Sequence, residues 1–222
     1  LLTKGNPSSW LVRGTWILTA QASAFGVWFL AGVAQLESVA TVSVWIAAII
    51  GLATAGYTAL LFAQAKGRTL WNSPLLVWHM VAAAFAVGGG ISLIASLVSV
   101  TNGIDPGAAA VLVSQTLPVG TAAFTWTMLI GAVGLGTVAA LEARAKHGAD
   151  AAAAFHHMTQ GAFAFEYRVG LVFSVLSPAA AAIAVLLGTP PVIGAAGGIV
   201  AMVGVWMVDD AFVKAGQSVP LT

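Results

Sequence analysis

The sequence predicts an all-α fold, a polytopic bundle of transmembrane helices, and three observations carry that prediction. Hydrophobic residues make up 59% of the 222-residue chain and charged residues only 7%. Mean hydropathy is +0.97. Apolar stretches long enough to cross a bilayer recur six times. A soluble domain carries roughly 25% charged residues, so this chain has too few to cover a surface in water, and its bulk solvent is lipid. A helix needs about 20 apolar residues to cross ~30 Å of hydrocarbon and closes its backbone hydrogen bonds internally. A barrel would require strands of alternating polarity, which the sequence lacks.

The elements follow in order along a single transmembrane domain. The first span runs from Trp10 to Ala34 and ends at a tight acidic connection, Leu36 to Val39, holding Glu37. The second, Ala40 to Gln64, leads into the basic and aromatic connection AKGRTLWNS, Ala65 to Ser73. The third is Pro74 to Val98 and contains Gly88-Gly89-Gly90. The longest connection, Ser99 to Pro118, carries turn signals at Asn102-Gly103 and Asp105-Pro106-Gly107, with a short alanine-rich surface helix expected after them. The fourth span, Val119 to Ala143, has Gly131 and Gly134; an amphipathic stretch from Lys146 to Gly161 with His147, His156 and His157 follows. The fifth is Ala162 to Leu187, where Pro178 is a candidate helix break. After the tight turn Gly188-Thr189-Pro190-Pro191 comes the sixth, Pro191 to Phe212, with Gly194 and Gly198 at GxxxG spacing. Small residues at such spacings predict close helix packing in lipid.

With six spans, every Lys and Arg falls on one side: Lys4, Arg13, Lys66, Arg68, Arg144, Lys146, Arg168 and Lys214. The positive-inside rule makes that face cytoplasmic, with both chain ends there, and predicts a multi-pass protein of the cell (plasma) membrane. His79, Glu142, Glu166, Asp209 and Asp210 gather near the same face, whereas the other side offers Glu37 and Asp105. Two pairs, Glu142 with Lys146 and Asp210 with Lys214, have the spacing of helical ion pairs. The absence of cysteine excludes disulfides, thiolate-held zinc and an iron–sulfur cluster bound by this chain. A net charge of +1 carries no nucleic-acid signal. No charged n-region and cleavage site precede the first apolar stretch, so no signal peptide is expected.

Three motifs then stand out. Gly56 to Pro74 reads GYTALLFAQAKGRTLWNSP, a tyrosine closing a glycine-containing helix before a K-G-R-x-x-W-N loop. Asn6-Pro7-Ser8-Ser9 precedes Trp16-Ile17-Leu18, and the chain ends on Val213-Lys214-Ala215-Gly216-Gln217. In that order they resemble the NrfD-like family, the membrane subunits of polysulfide reductase and its relatives. Two departures stand beside the resemblance. Members usually have at least eight helices and this chain begins where their third would, so the first two are expected to be missing. An arginine often found six residues before A-G-Q is Asp209 here.

The resemblance implies a membrane subunit of a respiratory oxidoreductase complex, inactive alone. Such a subunit binds a quinone (menaquinone or ubiquinone) and holds no haem or cluster itself. It exchanges electrons with a docked iron–sulfur subunit, often with a molybdopterin catalytic subunit beyond. On this reading Tyr57 donates a hydrogen bond to a quinone carbonyl and Gly56 leaves room for the flat ring. His79, on the adjoining helix at similar depth, serves the second carbonyl or passes a proton. Lys66, Arg68, Trp71 and Asn72 form a lip for partner docking, with Trp71 anchoring the loop at the lipid interface, and Glu166 lines a proton path. Three competing readings remain open. A cytochrome b-like anchor needs paired histidines on different spans, and His79 alone lies within one. A transporter or proton channel would be expected to show inverted repeats with broken helices. The third is a purely structural membrane anchor.

Overall fold

The computed structural model describes residues 9–101 and 120–219. Among them the secondary structure is helical, with no strands, and six helices are long and apolar enough to cross a membrane. The chain is a multi-pass membrane protein. The spanning helices are α1 (Trp10–Val33), α2 (Glu37–Phe62), α3 (Leu75–Thr101) and α4 (Thr121–Glu142). After a surface helix α5 (Ala149–Thr159) come α6 (Ala164–Leu186) and α7 (Pro191–Ser218). Each lies within a few residues of its expected span, except that α7 continues past Phe212 to Ser218. Most of the amphipathic stretch forms α5, which carries His156 and His157, with His147 just ahead of it. Lys4, the Asn6-Pro7-Ser8 motif and the turn signals and short helix expected between α3 and α4 lie outside the described residues.

Lipid offers no hydrogen bonds, and the hydroxyls along α1 find partners within the helix. Thr15, Thr19 and Ser23, exposed along α1, donate their hydroxyls to the carbonyls four residues back at 2.8–2.9 Å. Two spans close with the same turn. After α1, Leu36 N–H bonds Ala31 C=O at 2.8 Å and Gln35 takes φ +58°; after α6, Thr189 N–H bonds Ala184 C=O at 3.1 Å and Gly188 takes φ +100°. These left-handed caps satisfy the last carbonyls and reverse the chain.

The packing is unequal. The core is built from α3, α4, α6 and α7, with α3 against α4 as the most extensive contact. The glycines foreseen as packing positions form its seams. A Cβ on Gly90 would come within 2.5 Å of Gly198 Cα, one on Gly89 within 2.5 Å of Met128 N, and one on Gly131 would overlap the Ala86 backbone. Gly204 of α7 lies equally close to the Ser174 backbone of α6. By contrast, α1 packs on α2, and α2 attaches that hairpin to α3. The α6 helix is not broken at Pro178. It widens into a π turn over Val172–Leu176, with Ser177 N–H reaching Val172 C=O. Proline removes an N–H and crowds the carbonyl four residues back, and the wider turn accommodates both.

Candidate functional site

The loop after α2 is tied down by its own basic residue. Arg68 Nη1 donates to the carbonyls of Gly216 (3.1 Å), Gln217 (3.1 Å) and Val219 (2.7 Å), capping the C-terminal end of α7. The expected docking arginine is thus occupied within the chain. Trp71 follows it inward. Its indole lies against Gly216 and edge-on to Phe62 at 5.2 Å, a packing role in place of the expected lipid anchor. Lys66 and Asn72 remain exposed, the latter bonding Arg68 C=O at 3.1 Å. Arg68 and the Asp210–Lys214–Glu166 cluster help explain why α7 outlasts its apolar stretch. Lys214 Nζ is 2.5 Å from Asp210 and 3.2 Å from Glu166. The Asp210–Lys214 pair is the one the spacing predicted.

The Glu142–Lys146 pair is not formed as a helical pair, because α4 ends at Glu142. Glu142 Oε2 instead accepts the Ser73 hydroxyl at 2.8 Å, and Glu142 Oε1 is 4.0 Å from His147 Nδ1. Ser73 Oγ also accepts Leu75 N–H at 3.3 Å, so one serine ties the start of α3 to the end of α4. One turn further in, His79 Nε2 meets Asp209 Oδ1 of α7 at 2.8 Å, with the His79 side chain 15% exposed. Asp209 therefore supplies the histidine's carboxylate partner.

These contacts surround a chamber of about 50 Å³ at the basic end of the core. Its polar lining is Ser73, His79, Glu142, Tyr167 and Ser174; Leu76, Leu135, Met158 and Val208 contribute apolar wall. Tyr167 and Ser174, seven apart on α6, are both buried. Beyond Leu75 and Val138, which line both spaces, an apolar groove of about 470 Å³ runs between α3 and α4. It is flanked by the exposed side chains of Trp78, Ile130 and Leu141 and walled at its base by Gly131 and Gly134, so it opens toward lipid.

Of the residues singled out from sequence, His79 lies on this chamber. Tyr57 does not line it: its ring rests on Gly14 of α1, while neighbouring Gly56 faces Val77 and Val81 of α3. Glu166 is paired with Lys214 on the outer side. His157 bonds Ser218 Oγ at 2.9 Å and His156 is exposed. Sequence reasoning missed Tyr167 and Ser174. The spacing Tyr167, Leu171, Ser174 places all three on one helix face, a signal that a polar stripe enters an apolar span. Comparison with protein-family models, curated proteins and solved structures gives no match to this chain.

Proposed function

We propose that the protein is a quinone-reactive membrane subunit of a respiratory electron-transfer complex. One observation carries the reading: the His79–Asp209 pair stands on the wall of a polar chamber that adjoins an apolar, lipid-facing groove. The fit to a quinone follows from the chemistry of the two spaces. The groove suits a flat ring with an isoprenoid tail arriving from the bilayer, since ligand sites combine mostly apolar walls with a few convergent polar groups. His79, held by Asp209, is the group able to hydrogen-bond a ring carbonyl or pass it a proton. Quinone reduction consumes two electrons and two protons. The electrons come from an iron–sulfur subunit, with a molybdopterin subunit behind it, because this chain supplies no cysteine for a cluster.

That partner docks on the basic face, where Lys66 and Asn72 are exposed, and the positive-inside rule puts this face in the cytoplasm of a cell whose plasma membrane holds the complex. The motif resemblance around Tyr57 supports the same function through a neighbouring position. The test is binding of a fluorescent quinol analogue to the purified protein in lipid nanodiscs. Saturable quenching is expected for the unaltered protein, weakened about tenfold, or about 1.4 kcal/mol, by His79→Gln, whose amide can still bond Asp209. Absence of saturable binding rejects the function. Weakening by Tyr57→Phe and not by His79→Gln moves the site to the α1–α2 side.

A further inference from the structure

The chamber holds polar groups that the fold leaves without partners. Glu142 Oε1 is buried with no hydrogen-bond partner, although Oε2 of the same carboxylate is engaged by Ser73. Tyr167 is 8% exposed and Ser174 1% exposed, and both line the same space. Neither side chain forms a hydrogen bond among the described residues. Buried polar groups without partners are destabilising, and interiors resolve this with ordered water. The space is adequate: a water needs roughly 10–15 Å³ on this measure, so about 50 Å³ admits roughly three.

We propose that this chamber is a hydrated proton-exchange site, in which a short chain of water is held by Glu142, Tyr167 and Ser174, and Glu142 is the group that binds and releases the proton. An excess proton carried by the chamber water as hydronium passes to Glu142 Oε1, leaving neutral water and a neutral carboxylic acid; the reverse transfer returns it to the water, and no electrons move. Nearby, Asp210 and Glu166 are paired with Lys214 and Asp209 with His79, whereas the charged contact of Glu142 is a longer one, to His147 at 4.0 Å. The groups around Glu142 are Ser73 ahead of α3, His79 on α3, Tyr167 on α6 and His147 just beyond α4. From α5 and α7 the chamber receives the apolar Met158, Val208 and Phe212. His147 stacks on Phe155 of α5 at 4.9 Å between centroids, with Nδ1 4.0 Å from Glu142 Oε1. His79 lines the same chamber, and Leu75 and Trp78 beside it on α3 line the groove. The chamber thus holds Glu142 and the histidine assigned to quinone on one lining. Its purpose, delivering protons to that histidine, rests on the proposed function; its existence as a site does not.

Infrared difference spectroscopy on a pH change, with the protein in nanodiscs and no quinone present, reads the site directly. The expected result is a carbonyl stretch from a protonated carboxyl that shifts in deuterated water. It should be lost in Glu142→Gln, retained in Glu166→Gln and displaced in Tyr167→Phe and Ser174→Ala. Water stretches sensitive to oxygen-18 water should accompany it. A carboxyl signal unchanged in Glu142→Gln overturns the proposal. So does a signal that follows exchange of sodium for potassium at fixed pH, which would mark a cation site. Should Glu142→Gln fail to fold, carboxyl and water signals unmoved by both Tyr167→Phe and Ser174→Ala overturn it equally. Because no quinone is present, quinol-analogue binding stands or falls separately.

Discussion

The α1–α2 hairpin and the α3–α4–α6–α7 core are made of equally apolar helices but do different things. In α1, 17% of the membrane window is buried inside the protein; in α7, 39%. The hairpin meets lipid over most of its surface, and Thr15, Thr19 and Ser23 of α1 bond their own backbone. The core brings helices together through glycine and lines the space between them with Ser73, His79, Glu142, Tyr167 and Ser174. Hydropathy cannot separate the two regions, because lipid and protein interior are alike to an apolar side chain. Both regions bury polar atoms, Gln21, Trp28 and Thr54 in the hairpin among them; the ionisable His79 and Glu142 lie in the core, and intramembrane ionisable residues that face the bundle interior mark function by default.

The comparison breaks most sharply at the glycines. Gly131→Leu should cost at least about 1–3 kcal/mol and abolish a monodisperse fold, because a Cβ there overlaps the Ala86 backbone. Gly26→Leu on the hairpin should leave the thermal midpoint unchanged, since nothing lies within 4 Å of its Cβ. Thermal unfolding followed by size-exclusion chromatography reads both. A smaller effect is expected at the loop joining the two regions. Arg68→Gln loses charge-assisted bonds to two carbonyls of α7 and to that of Val219 just past it and should cost about 1.5–3 kcal/mol. The last turn of α7 should then exchange amide hydrogens faster while α1 is unaffected; unchanged exchange would return Arg68 to a docking role. The smallest effect belongs to Lys214→Met, an exposed ion-pair partner. Its removal should leave unfolding within error, as exposed pairs add little.

Much of the architecture is legible in the sequence. Length and apolarity alone place six spans, and Gly89, Gly90, Gly131 and Gly198 announce the tight seams. Lys66, Arg68, Arg144 and Lys214 share one face because an even number of crossings returns the chain to it. The site is legible only in part. His79 can be suspected as the one histidine inside a span, but its partner Asp209 lies 130 positions away and no local pattern links them. Ser73 looked like an ordinary loop residue, and it is the tie between α3 and α4. Trp71 has the composition of a lipid anchor, and the α7 glycine that accepts its ring is far along the chain. Spacing along one helix is visible in a single sequence; the pairing of faces on distant helices is not.

The measurement closest to the central claim is covalent mapping with a photoreactive quinone in nanodiscs, read by peptide mass spectrometry. The account predicts labels on α3 from Leu75 to Phe85 and on α4 from Ile130 to Leu141, the two walls of the groove beside His79. Labels confined to α2 around Gly56 and Tyr57, or spread evenly over lipid-facing residues, would contradict it.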